Sequence, residues 1–357
     1  MTDGTDNATP PEKPAFGKQQ VIAGIVTVII LVLVFGVVLP QFGDYEAAWE
    51  AIAGMEAWQL GMIALATVAM VAIYVLPYPA ALPRISYWNA FKVRQTSFMI
   101  SNVVPAGGAF GLAVQFGMLQ SYGIAAAPST ATIGITGAWN SFVTLSLPVI
   151  ALAGLAITGQ ASVEAGAITV VATLAVIVAV ILFALVLRNE ATARRIGGWA
   201  DSFIGWMSRL TKREIDVDAT EAIVGFRSSI VDVVLDRWLL ITLANVGQQL
   251  AQFSILYLAI VALQGSWTGP ITPFEALAAF AFGRLATFIP VPPGGLGTTD
   301  AIITSILVTF GLDNNSALAS TMIWRAATYF PQVMIGAVTL LLWRRDQRRS
   351  GASVGAA

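Results

Sequence analysis

Apolar residues run along this chain in long blocks, at 21–40, 57–81, 126–157, 163–187, 238–263 and 316–343. Each block reaches the roughly 20 residues that carry an α-helix across the ~30 Å hydrocarbon core of a bilayer. A segment in lipid must satisfy its own backbone, so each block predicts a membrane helix. The stretch 1–20 is polar, contains Pro10, Pro11 and Pro14, and reads as a disordered tail. The block at 21–40 is too long for the apolar core of a signal peptide, and no small-x-small cleavage pattern follows it. It reads as a retained first span.

Two further apolar stretches, 96–122 and 274–311, are interrupted. The first carries Pro105-Ala106-Gly107-Gly108, the second Pro290-Val291-Pro292-Pro293-Gly294-Gly295-Leu296-Gly297. Proline removes a helix donor and glycine weakens helix propensity, so each stretch predicts two short helices meeting at a non-helical turn.

Charge then sets the topology. Of 19 basic residues, 17 fall in four segments: the tail 1–20, the stretch 84–95, the loop 188–237 and the tail after 343. The connections 41–56, 158–162 and 264–273 have none, and the first is acidic (Asp44, Glu46, Glu50). Basic loops stay in the cytoplasm, which predicts four cytoplasmic segments, both termini among them. That assignment holds only if each interrupted stretch returns to the face it left. The predicted fold is therefore an all-α polytopic membrane protein with two opposed re-entrant helical hairpins. The hairpins resemble each other: Val104-Pro105-Ala106-Gly107-Gly108-Ala109-Phe110-Gly111 aligns with Val291-Pro292-Pro293-Gly294-Gly295-Leu296-Gly297, allowing one gap. Their arms end in Tyr122-Gly123-Ile124 and Phe310-Gly311-Leu312. The flanking spans run in opposite directions, as expected of an inverted-topology repeat of the kind found in secondary transporters. The expected organisation is an integral membrane domain over 21–345 between cytoplasmic tails 1–20 and 346–357. Within loop 188–237, Ile223, Val224, Phe226, Ile230, Val231 and Val234 fall at helical spacing, with Asp218 and Glu221 as a capping pair, which predicts an amphipathic connector on the cytoplasmic membrane surface.

Composition narrows the chemistry. With 57% apolar and 11% charged residues, the chain is neither an ordinary soluble domain nor a disordered one. A net charge of −1 offers no basic surface for nucleic acid. The absence of Cys and His removes disulfides, thiolate chemistry, Cys/His zinc sites and an imidazole base. No cofactor or metal is expected, and there is no G-x-x-x-x-G-K-[ST] phosphate loop.

The candidate binding residues are polar groups at membrane depth. A half-helix N-terminus presents free N–H groups that suit phosphate or carboxylate, and paired glycines admit a ligand close to the backbone. This singles out Pro105, Gly107 and Gly108 in the first turn, and Pro293, Gly294, Gly295, Gly297 and Thr298 in the second. Arg284 and Arg325 are the two basic residues inside apolar stretches, and buried charge in a membrane is paired or functional. Arg284 lies eight residues before Pro292 and Asp300 eight after, so the two are expected to pair across the hairpin; Arg325, with no acidic residue at helical spacing in its own span, is expected to find either Asp300 or an anionic ligand. Two readings stand: a structural ion pair closing the hairpin, or a site where Arg284 or Arg325 neutralises a lipid phosphate while Asp300 tunes it. Asn245, Gln248, Gln249 and Gln252 share one helical face, which either bonds neighbouring helices or lines a headgroup path. Asn102, Gln115 and Asn140 are isolated polar groups, each read first as structural.

The segment Pro292-Pro293-Gly294-Gly295-Leu296-Gly297-Thr298-Thr299-Asp300 resembles the Pro-Gly-Gly-Leu-Gly-x-x-Glu signature of the flippase-like family that includes the transmembrane region of lysylphosphatidylglycerol synthases. Arg325 is similar to the Arg in the span after that signature, and Asn102-Val103-Val104-Pro105-Ala106-Gly107-Gly108 resembles an earlier Asn-x-x-Pro-Gly-type element. The likeness covers about 20–345. The chain departs from it in carrying Asp300 where the family has Glu, and Ala113, Val114 and Gln115 where many members carry an Arg. A short tail follows 345 where the full synthases carry a soluble aminoacyl-transferase domain, so the resemblance implies lipid movement between leaflets rather than lipid synthesis. The expected activity is a flippase-like transporter of the cell membrane, for an anionic or zwitterionic lipid, with proton or ion coupling open and no enzymatic role. A non-transporting membrane scaffold, or less readily an intramembrane lipid-modifying enzyme, is the alternative.

Overall fold

The computed structural model describes residues 45–104, 107–159, 189–211, 219–288 and 295–354, with 178, 181 and 185. The first span at 21–40, nearly all of that at 163–187, and the turn residues Pro105, Pro290, Pro292, Pro293 and Gly294 lie outside the described residues.

The described elements are helical: α1 (Tyr45–Ala53), α2 (Ala57–Ile73), α3 (Pro77–Ala81), α4 (Tyr87–Val103), α5 (Gly107–Ser121), α6 (Ala126–Ile157), α7 (Glu190–Thr211), α8 (Ala219–Gln264), α9 (Pro273–Leu285), α10 (Thr298–Thr309) and α11 (Asn314–Val354). Four helical stretches are long and apolar enough to cross a membrane: Ala57–Ala81, Ala126–Ile157, Val233–Gln264 and Asn314–Gln347. They present large apolar side chains outward. On α11, Phe330, Met334, Val338 and Leu341 form one exposed stripe. Such a surface is unfavourable in water and matches lipid, so the protein is a membrane protein.

The two interrupted stretches form helical pairs. In the first, Gly111 and Gln115 of α5 lie against Ser97 of α4, and Gly107 lies against Ile100 and Ser101, so the arms run antiparallel. In the second, Gly283 of α9 faces Thr299 and Ile303 of α10, and Gly295 faces Thr287. The arms hold 17 and 15 residues, then 13 and 12. At 1.5 Å per residue each is shorter than a spanning helix needs. Both pairs end in the same cap. Ile124 N–H bonds the Leu119 carbonyl and Gly123 N–H that of Gln120; Leu312 N–H bonds the Leu307 carbonyl and Gly311 N–H that of Val308. Gly123 and Gly311 take the left-handed conformation this cap requires (φ 78° and 98°).

Hairpin α9/α10 sits inside the main core. Ala276, Leu277, Ala278, Ala279, Phe280 and Ala281 are all buried, so α9 is enclosed by protein rather than lipid. Thr272 and Glu275 cap its start reciprocally, with Pro273 at the first position. Phe280 packs edge-on against Trp324, whose indole N–H bonds the Gln252 carbonyl.

The loop over 188–237 differs from expectation. It contains α7, and the predicted amphipathic connector is the first part of α8, which continues unbroken from Ala219 to Gln264. No proline interrupts that sequence, so the helix does not stop where polarity changes. Asp201 of α7 accepts hydrogen bonds from the backbone and hydroxyl of Thr220, pinning the two helices together. Asp218 lies outside the described residues.

A Cβ on Gly107 would run into the Ile100 carbonyl, whereas one on Gly108 would meet open space. Gly107→Ala is expected to destabilise by about 1–3 kcal/mol through overpacking. Gly108→Ala gains helix propensity of up to ~1 kcal/mol and should leave the thermal midpoint in detergent unchanged or raised.

Candidate functional site

The site is best built outward from α11. Its residues Arg325, Tyr329, Gln332, Gly336, Thr339, Trp343 and, at the exposed end, Asp346 recur at alternating steps of four and three. That spacing keeps one seam facing the same neighbours. At one end, Arg325 Nε donates to Asp300 Oδ1 at 2.7 Å, and its Nη2 reaches the Gly295 carbonyl at 3.5 Å. One turn on, the Tyr329 hydroxyl donates to the Asn102 carbonyl at 2.8 Å, at the end of α4. Further along, Thr339 meets Thr96, Trp343 donates to Ser121, and Asp346 pairs with Lys92 at 2.7 Å. The tips of both hairpins are thus held one helical turn apart on a single face.

The ion pair differs from the one expected. Asp300 pairs with Arg325, not Arg284. Its other oxygen accepts the Gly297 N–H at 2.8 Å, capping α10, and the carboxylate is buried. Gly297 adopts φ 83°, which favours glycine, and this aims its N–H back at Asp300. The shorter acid at this position therefore serves: an aspartate three residues into the helix reaches its own cap. It also supplies the negative charge at this N-terminus, where a ligand had been expected.

Arg284 is left without that partner. Its Nε is buried and makes no hydrogen bond, and no carboxylate pairs with it among the described residues. Thr287, one turn after it, packs against Gly295, whose carbonyl Arg325 reaches, so Arg284 lies at the same turn as a second guanidinium.

Arg94 joins this centre, although its position in the basic segment 84–95 pointed to the cytoplasm. Ser86 caps α4 and starts it at Tyr87, so Arg94 lies two turns inside a helix. Its Nη2 donates to Gln248 Oε1 at 2.9 Å, near the midpoint of the Val233–Gln264 span. It also donates to the Tyr74 carbonyl, and its Cζ lies 4.1 Å from the Tyr74 ring centroid and 5.3 Å from that of Tyr78. Tyr74 packs edge-on against Phe98, which packs against Tyr329. The readable signal was the serine cap, which extends the helix well before the apolar stretch begins.

Other expected residues are structural in their contacts. Gln115 bonds the Tyr78 hydroxyl and Ser97, tying α5 to α3 and α4. Gln249 donates to Asn140 and Thr144 of α6, and Gln248 donates to the same Asn140. Asn245 donates to Ile241 on its own helix. The polar stripe of α8 mainly bonds α6, although Asn245 Oδ1 and Gln249 Oε1 are buried without partners. Asn102 donates to Phe98 on its own helix. Thr298 donates to the Gly295 carbonyl at 3.3 Å. Gly108 is exposed, and Pro105, Pro293 and Gly294 lie outside the described residues.

Breaking a buried pair leaves an uncompensated charge, which costs about 3–5 kcal/mol. Asp300→Asn and Arg325→Gln should each lower the unfolding midpoint, and the double variant should recover much of the loss. A strictly additive cycle would show that the two side chains are not coupled.

No curated protein matches the chain. A family model described as the lysylphosphatidylglycerol synthase TM region matches residues 21–336, nearly the whole chain and both hairpins. With the four spanning stretches and the turn sequence before Asp300, that match shows that the chain belongs to the family of the lysylphosphatidylglycerol synthase transmembrane region.

Proposed function

We propose that the protein moves a phosphate-bearing lipid headgroup between leaflets through the polar centre where the two hairpins meet, while the acyl tails stay in the bilayer. The observation that carries this reading is Arg284. Its buried Nε has no hydrogen-bond partner among the described residues, and the one ion pair at this turn, Arg325 with Asp300, leaves it out. A charge held in that way needs an anion. Arginine's planar fork suits phosphate, which accepts two parallel hydrogen bonds from it.

In this reading α4/α5 and α9/α10 are the re-entrant hairpins of an inverted-topology repeat. Their sub-spanning lengths, matching caps and adjacent tips on α11 support it. The distribution of basic residues supports cytoplasmic termini in a cell membrane. With no phosphate loop in the sequence, movement is passive or coupled to an ion. Coupling through Asp300 would require releasing Arg325. An enzymatic role lacks an acid–base pair: the chain has no His or Cys, and Asp300 is engaged.

The scaffold reading is favoured by the hydrogen bonds that tie α8 to α6 and α5 to α4. Arg284→Gln separates the two readings. Removing an uncompensated buried charge should leave the unfolding midpoint unchanged or higher. Lipid movement in proteoliposomes, read as dithionite quenching of a tail-labelled phospholipid, should fall about tenfold or more, since truncating a buried charge contact costs about 2–5 kcal/mol. Unchanged movement in the folded variant would favour the scaffold.

A further inference from the structure

Around the two hairpins the described residues place three arginines, Arg94, Arg284 and Arg325, and a single phosphodiester brings one negative charge. Arg94 lies against Tyr74, which Phe98 links to Tyr329 at the end of the first hairpin's arm, while Arg284 and Arg325 lie at the turn of the second hairpin; among the described residues the one carboxylate paired with any of the three is Asp300, on Arg325. Arg325 and Asp300 cancel. Arg94 and Arg284 remain, two formal charges: Arg94 stacks on the Tyr74 ring, and Arg284 lies at the end of α9, one turn before Thr287, which packs against Gly295 beside Arg325. Arg94 is held by carbonyl oxygens of Tyr74 and Gln248 and by two aromatic rings. Those groups orient the guanidinium but bring no formal negative charge. Buried cations at membrane depth pair with anions, and here the pair is incomplete twice over.

We propose that Arg94 is a second anion-binding residue of the headgroup site, and that the site takes a doubly anionic headgroup, a lipid phosphomonoester or diphosphate, in preference to a zwitterionic phosphodiester. The inference rests on the transport reading above. Arg284 contacts the charge nearer the second hairpin, and Arg94 the charge nearer the first. Gln248 and Tyr74 position Arg94, so part of the α8 stripe serves the site while the rest bonds α6.

Two measurements test it and separate its fate from that of the transport reading. In detergent and mildly alkaline buffer, where a phosphomonoester is doubly charged, the wild-type protein is titrated with dihexanoyl phosphatidic acid, phosphatidylglycerol and phosphatidylcholine. Its thermal midpoint reports binding. Phosphatidic acid should bind about tenfold tighter than phosphatidylcholine, with phosphatidylglycerol between them. Arg94→Gln should bring phosphatidic acid down to the level of phosphatidylglycerol, and Arg94→Lys should keep most of the difference. In vesicles, tail-labelled forms of the same three lipids should move in the same order. Equal stabilisation by all three lipids overturns the inference, and this wild-type result decides even if Arg94→Gln does not fold. Movement that ignores headgroup charge also overturns it, while leaving the transport reading in place. Ranked binding with no movement of any lipid supports the two-arginine site and overturns transport. An Arg94→Gln protein that loses all three lipids equally would assign Arg94 a structural role and overturn the inference.

Discussion

The buried pair between Arg325 and Asp300 is the interaction on which the rest of this structure depends. One carboxylate does two jobs: it caps α10 through the Gly297 N–H and neutralises a guanidinium on α11. Non-helical backbone survives at membrane depth only where protein satisfies it. In the described end of the turn before α10, Asp300 accepts from the Gly297 N–H and Arg325 reaches the Gly295 carbonyl. The consequence falls on Arg284. With the nearby acid taken, a second guanidinium is held without a carboxylate partner among the described residues.

Helix α11 converts this local pair into architecture. Its seam runs from Arg325 to Asp346, about 30 Å at 1.5 Å per residue, and makes its contacts with one hairpin tip and then with the other hairpin. Its outward stripe of Phe330, Met334, Val338 and Leu341 faces lipid. Small residues allow the close approach: Gly336 lies against the Gln95 carbonyl, and Gly283 against Ile303. Association of helices in lipid rests on such close packing and on interhelical hydrogen bonds, because apolar burial provides no drive there. The Asn140, Thr144, Gln248 and Gln249 contacts between α6 and α8 belong to the same economy of forces.

Stability and function pull apart at the centre. A fold optimised for stability would pair or remove Arg284, and would not hold Arg94 among carbonyls and rings alone. Under the proposed function, an anionic headgroup would supply the counter-charge that these two guanidinium groups lack among the described residues. Lys92, by contrast, is buried and paired with Asp346.

The sequence alone determined the class of protein and much of its framework. Long apolar blocks dictate membrane helices because hydrocarbon cannot satisfy a bare backbone, and the Pro-Gly interruptions dictate paired short arms because clustered Pro and Gly disfavour one continuous helix. The turn before Asp300 also sufficed to indicate the family. What the sequence could not decide was which charges meet. Arg284 and Asp300 are equidistant from Pro292 along the chain, but symmetry about a turn says nothing of rotation around each helix, and Arg325 on another helix approaches from the side Asp300 faces. Arg94 was hidden for a related reason. Its neighbours in sequence are basic and cytoplasmic in character, and only the packing of α4 against Tyr74 and Gln248 carries it inward. Spacing fixes partners within a helix; partners between helices are settled by tertiary packing, and that is where this site is made.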